Sequence, residues 1–150
     1  MTNLDQLMAV MEAAFDPQWR EAWTRSQVES SLSMPNTYAL LIDGSGEPLD
    51  VGGTAAGFVL VRRAPGEEEL LLIAVRPELR GHGIGRRLLE LFFDTARNNG
   101  AETVFLEMRA NNPAVSLYRA CGFEPIGRRP GYYRTLDGST LDAITFGKKL

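Results

Sequence analysis

The residues with the clearest chemistry in this 150-residue chain lie where an apolar run, Leu70 to Val75, leads into Arg76-Pro77-Glu78-Leu79 and then Arg80-Gly81-His82-Gly83-Ile84-Gly85-Arg86. Three glycines in five positions leave backbone N–H groups bare, and helical spacing resumes at Ile84. Unpaired donors at a helix N-terminus, with the positive end of its dipole, form a cradle for a diphosphate. Arg80 and Arg86 can add charge-assisted bonds to such a group. Two familiar phosphate loops are excluded by the letters. A dinucleotide fingerprint needs glycine where Arg86 stands, and a Walker loop needs Gly-Lys, whereas Lys148 and Lys149 are the sole lysines. A tight strand-to-helix turn with no ligand remains the other reading of this stretch.

Positioning such a loop requires flanking elements, and the periodicity supplies them. Leu4, Leu7, Met8, Met11 and Phe15 predict a helix over 3–15, closed by Pro17. Trp19, Trp23, Val28 and Leu32 suggest a second helix, with Thr24 or Ser26 as its N-cap. Strands are expected at Thr37–Ile42, Ala56–Arg63 and Glu69–Val75, the last two joined as an antiparallel hairpin by Ala64-Pro65-Gly66. Glu67, Glu68 and Glu69 read as a solvated turn that would also suit a basic peptide. A strong helix runs from Ile84 to Gly100, followed by a strand at Thr103–Arg109 with Val104, Leu106 and Met108 on one side. Asn112-Pro113 reads as an N-cap pair opening a short helix that ends at Gly122. Strands at Phe123–Arg128 and Ala143–Gly147 flank a polar loop rich in Arg, Gly and Tyr. The order implies one mixed α/β domain over 1–150.

Arg80-x-x-Gly83-x-Gly85 resembles the acetyl-CoA signature of the GNAT N-acetyltransferases, which that family places between a strand and a helix. The second half of the chain strengthens the likeness. Leu106-Glu107-Met108-Arg109-Ala110-Asn111-Asn112-Pro113-Ala114, then Leu117-Tyr118 and Gly122-Phe123, resembles a run found in RimI-type members, which acetylate protein N-termini. Gly127-Arg128-Arg129-Pro130-Gly131-Tyr132-Tyr133, with Asp137-Gly138 and Asp142-Ala143, is similar to their later segment, and Trp23-Thr24 fits an early position. The resemblance covers about residues 10–146. It implies the GNAT acyl-CoA N-acyltransferase fold: a central mixed, mostly antiparallel sheet flanked by helices.

Acetyl transfer from a thioester needs a neutral amine, a polarised carbonyl and a proton for the departing thiolate. The resemblance makes Glu107 the base and Tyr118 the acid. Spacing alone favours reading Glu107 as a solvated strand residue, and Tyr118 can be read as a core aromatic. The resemblance also gives the acetyl-CoA contacts to the backbone of Ile73, Ala74 and Val75, to residues 80–86 (Arg80, Gly81, His82, Gly83, Ile84, Gly85, Arg86) and to Asn112 and Tyr118. Backbone pairing of the pantetheine arm would act as an added strand. Tyr132, Tyr133 and Arg134 could roof the acceptor site or be an ordinary surface loop.

The remaining composition narrows the class. With one histidine, His82, and one cysteine, Cys121, the chain cannot assemble a Cys/His zinc site or an internal disulfide. His82 reads as a loop residue rather than a proton carrier, and Cys121 as packing. A net charge of −3 argues against a surface built for nucleic acid, and no apolar run approaches a membrane span. No basic leader precedes the first helix, which suits a cytoplasmic protein. The expected function is acetylation of an amine by acetyl-CoA in a ternary complex, with a protein N-terminus, as in a ribosomal protein, the favoured acceptor. A small amine, a protein lysine and a non-catalytic acyl-CoA-binding module are the alternatives. Three departures from the RimI-type pattern concern the acceptor side more than the donor side. The family's first strand is missing or very short, Leu72 and Arg76 replace the usual Asn and Asp, and the loop 43–55 is longer and richer in glycine.

Overall fold

The structure, a computed structural model, describes residues 1–16 and 21–150. Its elements are helices α1 (Asn3–Ala14), α2 (Arg25–Leu32), α3 (Ile84–Asn98) and α4 (Val115–Ala120), and strands β1 (Thr37–Ile42), β2 (Gly57–Ala64), β3 (Glu67–Val75), β4 (Thr103–Arg109), β5 (Glu124–Arg134) and β6 (Thr140–Lys149). They build a six-stranded sheet in the order β1-β2-β3-β4-β6-β5. β3 and β4 are parallel, as a helical crossover through α3 requires, and the other neighbours are antiparallel. The expected mixed, mostly antiparallel sheet is therefore present. Among the described residues α1 comes first, with no strand before it.

Sequence periodicity assigns the two faces. α3 turns Ile84, Leu88, Leu89, Phe92, Phe93 and Ala96 onto Val59, Val61, Leu70, Val104, Leu106 and Phe146. On the opposite face Leu7, Val10 and Met11 of α1 and Val28 of α2 cover Phe58, Leu60 and Ala74. Both helices on that face start with a capping box. In the first, Thr2 and Asp5 exchange hydrogen bonds, and in the second Thr24 and Gln27 do so. Thr24, rather than Ser26, is thus the cap, and α2 begins only at Arg25. Pro17 and Trp19, expected to close one helix and begin the next, lie outside the described residues.

A bulge in β3 shapes the sheet. Leu60 stands opposite Leu72 and Val61 opposite Leu70, so Leu71 is an extra residue. Leu71 and Leu72 consequently both point to the α1 face, between Leu70 and Ile73 on the α3 face. Such a bulge bends its strand and sharpens the local twist. Parallel pairing with β4 accordingly runs from Glu67–Thr103 to Leu70–Leu106 and stops. β4 continues to Arg109 against β6, so β3 and β4 part as a wedge beyond residues 70 and 106.

The long loop after β1 is pinned by α1, α3 and the residue that follows β3. Gln6 donates from Nε2 to the Gly53 carbonyl at 2.9 Å and accepts the Ala55 N–H at 3.0 Å. Arg87 Nε donates to the Gly46 carbonyl at 3.0 Å, and Arg76 Nε to the Ala55 carbonyl at 2.7 Å. The Arg76 departure thus accompanies the long loop, whose carbonyl its side chain engages. Leu72 covers α1.

Two expectations need correction. The residues between 129 and 142 form a long hairpin rather than a loop, because β5 extends to Arg134 and β6 starts at Thr140. The side chains of Asp137 and Asp142 hold it. Asp137 Oδ1 accepts the Ser139 N–H at 2.9 Å in the turn, and Asp142 Oδ1 accepts the Gly131 N–H at 2.9 Å across a break in the β5–β6 register. Glu67–Glu69 belong to β3, not to a solvated turn. Glu68 is buried and accepts from Tyr38 Oη at 2.6 Å and Asn99 Nδ2 at 3.0 Å, while Glu69 pairs with Arg62. They sit at the paired end of β3 and β4, away from the wedge, so they do not serve an acceptor there.

Candidate active site

The glycine-rich turn joins the end of β3 to α3 through a short 3-10 turn at Pro77–Leu79. Gly81 and Gly83 have φ of +80° and +81°, and a Cβ on either would meet nothing within 4 Å. Glycine is needed there for backbone conformation, not for room. Gly85 is small for a different reason: a Cβ would lie 2.9 Å from the Leu117 side chain, where α4 packs on α3. Gly83 is the N-cap of α3 and supplies no capping side chain. The first backbone bond of the helix runs from Arg87 N–H to Gly83 at 3.0 Å. Among the described residues no protein acceptor takes the N–H groups of Ile84, Gly85 and Arg86, and an anion can. The fit to a diphosphate therefore rests on vacant donors and a left-handed turn.

The side chains around this turn differ from expectation in two respects. Arg80 extends to the C-terminus of α1, donating from Nη2 to the Ala14 carbonyl at 2.8 Å, so its charge is already engaged. Arg86 remains exposed, 4.0 Å from Glu90. His82 is exposed in the turn. Asn112 does not cap α4, which begins at Val115 with Ala114 as N-cap. Its Oδ1 accepts the Ala114 N–H at 2.9 Å, closing a local turn before the helix, because Asx side chains bond the backbone two residues on. Its Nδ2 has no partner among the described residues.

Ile73, Ala74 and Val75 lie on the part of β3 that has left β4. Ile73 and Val75 face the α3 core and Ala74 the α1 core, so the backbone is what borders the wedge. Across the wedge, Glu107 leaves the face occupied by Val104, Leu106 and Met108. Its Oε2 accepts from Thr145 Oγ1 at 3.3 Å and lies 3.2 Å from Arg129 Nε. Tyr118 is buried, its ring meeting Phe123 edge-on at 5.9 Å. The core-aromatic reading therefore describes the ring. The hydroxyl has no hydrogen-bond partner among the described residues. Burial first, and the charge of Glu21 second, push that hydroxyl well above its ordinary range and keep it protonated.

The hairpin brings further aromatics. Tyr133 is half-buried, and burial first, then the charges of Glu107 and Glu21, push its hydroxyl up to about 12. Tyr132 is exposed, meets Tyr133 edge-on at 5.2 Å, and carries the Arg129 guanidinium 5.0 Å above its ring. Arg134 is exposed at the far end of β5, opposite Thr140. Glu21, just before α2, was not legible as a site residue. Its Oε1 lies 3.1 Å from Arg109 Nε, and Arg109 also donates to Asn111 at 2.8 Å. No local pattern flags a contact between residues 88 apart. Cys121 is partly buried against the α3 core, as packing predicts. Among the described residues no group of His, Cys, Asp and Glu could hold a metal, and no helix is long and apolar enough to cross a membrane.

A mixed sheet that opens between its one parallel pair, with an uncapped glycine turn at the wedge, defines an acyl-CoA N-acyltransferase fold. The chain belongs to the Acetyltransferase (GNAT) family, to which residues 5–123 match. It is 43% identical over 99 residues to the N-alpha-acetyltransferase RimI of Mycobacterium tuberculosis, a match covering 63% of this chain and 59% of that one. It is 39% identical over 97 residues to the [Ribosomal protein bS18]-alanine N-acetyltransferase of Escherichia coli strain K12, covering 64% and 65% respectively. The matches thus span about three fifths of these relatives' own lengths. The crystal structure of the ribosomal-protein-S18-alanine N-acetyltransferase from Escherichia coli superposes with a TM-score of 0.81 at 28% identity, covering 99% of this chain and 88% of that one.

Proposed function

We propose that this chain is an acetyl-CoA-dependent N-acetyltransferase, a single catalytic domain over 1–150 that acts in the cytoplasm on the α-amine of a protein N-terminus. The acceptor class follows from the two named relatives, one of which modifies an alanine of ribosomal protein bS18. The observation that supports the reading is the wedge beyond Leu70 and Leu106, with free helix donors at one end and Glu107 on the β4 that borders it.

When bound, acetyl-CoA supplies the acyl group as an activated thioester. The N–H groups at Ile84, Gly85 and Arg86, in the turn formed by Gly81, His82 and Gly83, hold its diphosphate, with Arg86 beside them. Arg80 contributes by fixing the turn to α1 rather than by meeting the anion directly. The backbone of Ile73, Ala74 and Val75 pairs with the pantetheine arm, and Asn112 Nδ2 offers a further donor. Glu107 Oε2 takes the proton from the incoming ammonium, and Tyr118 Oη holds the proton that a departing thiolate requires. Tyr133, with Tyr132 at its edge and Arg134 further along the hairpin, flanks the incoming chain. No metal is needed for these steps.

The test is acetyl transfer from labelled acetyl-CoA to alanine-initiated peptides, lysine side chains and small amines, with thiol release measured alongside CoA binding. Transfer to the peptide amine supports the reading. Transfer confined to lysine or to small amines moves the acceptor class. CoA binding without thiol release for any amine leaves a binding module.

A further inference from the structure

Two ion pairs flank the acceptor side of the wedge, and they differ in burial. Arg109 and Glu21 have side chains 9% and 18% exposed, with Asn111 as a further partner for the guanidinium. Arg129 and Glu107 are 61% and 20% exposed. Arg129 meets the carboxylate through Nε, with its guanidinium also stacked over the Tyr132 ring. The first pair is built to stay. The second is a solvent-facing contact of the sort that contributes little and is easily exchanged.

We propose that Arg129 is a displaceable counter-ion for Glu107: it occupies the carboxylate until the acceptor's ammonium takes its place, and so sets acceptor affinity through competition rather than by contact. This rests on Glu107 being the group that receives the amine. Among the described residues, the groups shown to interact with that carboxylate are Arg129 and Tyr133 from β5 and Thr145 from β6, and Arg129 is the one cation of these three. Arg129 lies on Oε2, the oxygen assigned to the amine, so an ammonium bound at that oxygen takes its place. The Tyr132 ring already carries the guanidinium, and the β5 register break at Arg129 is held by Asp142 through Gly131. Arg129 can therefore release the carboxylate without the hairpin coming apart.

The experiment is a double-mutant cycle on binding, read without turnover. The dissociation constant of a free-amine, alanine-initiated peptide is measured on protein saturated with CoA, for wild type, Arg129→Gln, Glu107→Gln and the double variant. An exposed pair is worth about 0.2–1 kcal/mol, so Arg129→Gln should tighten binding roughly 1.4- to 5-fold, converted at about 1.4 kcal/mol per tenfold. In turnover the same variant should lower KM by a similar factor with kcat unchanged, and Arg129→Lys, which keeps the cation, should stay near wild type. The effect should vanish in the Glu107→Gln background. Weaker binding in Arg129→Gln, no change, or the same gain in both backgrounds each overturns the proposal. Full kcat in Glu107→Gln would instead sink the base assignment, while the binding cycle would still decide whether Arg129 competes at that carboxylate.

Discussion

The donor and acceptor sides of the wedge are built by different means. The donor side is local. Gly81, Gly83 and the first turn of α3 lie within a few residues of one another, and the role proposed for them rests on backbone donors that no side chain caps. The acceptor side is gathered from across the chain: Glu21 before α2, Glu107 on β4, Tyr118 on α4, Arg129 and Tyr133 on β5, and Thr145 on β6. A backbone cradle tolerates change in nearly every side chain around it, whereas a site of converging side chains can be altered one residue at a time. Arg76 and the long loop engage each other at the rim, and the donor turn keeps its glycines.

The comparison can be broken most directly at the chemistry. Glu107→Gln and Tyr118→Phe should each lower kcat by about 10²–10⁴ while leaving the dissociation constant for CoA almost intact, as rapid kinetics and calorimetry would read. A loss of CoA affinity in both variants would mean that the two sides are not separable. Glu21→Gln removes the carboxylate facing buried Arg109, and the bond from Arg109 to Asn111 limits the damage. A loss of about 1–3 kcal/mol in unfolding free energy is expected, with CoA binding intact. Gly83→Ala forces a Cβ into left-handed backbone, which costs about 1–2 kcal/mol. It should also cut the stabilisation by CoA, which in the wild type would reach about 2.7 kcal/mol at 100 times the dissociation constant.

The smallest expected effect concerns acid. The Thr135 side chain first, and the Ser139 N–H and hydroxyl next, lower Asp137 from 3.8 to about 2. A carboxylate depressed in the folded state stabilises the hairpin turn above its ordinary value, and that contribution is lost as pH falls from about 4 to about 2. Amide protection at Ser139 should fade over that window, ahead of the protection in β2 and β3.

Some elements were legible because their signals are short-range. The capping Thr24, the αL glycines and the amphipathic α3 are each set by residues within a turn or two, where backbone sterics and burial period leave few options. The cap of α4 was placed two residues early, at Asn112 instead of Ala114, since the same Asx side chain serves a helix cap and an isolated turn equally well. The hairpin of β5 and β6 was shortened because Arg, Gly and Pro read as loop. Its strand state depends on pairing with β6 and on Asp142 bridging the register break.

Glu68 gives the plainest contrast. Three consecutive glutamates read as a solvated turn, yet its middle carboxylate is sealed between Tyr38 and Asn99. Residue order alone determined the donor turn, since a left-handed backbone and bare helix donors need only glycine at the right spacing. Tertiary structure alone decided which carboxylates are buried, where Arg80 and Arg129 spend their charge, and that Leu71 bulges to part β3 from β4. Those outcomes depend on partners far away in sequence, and no local propensity encodes the distance between them.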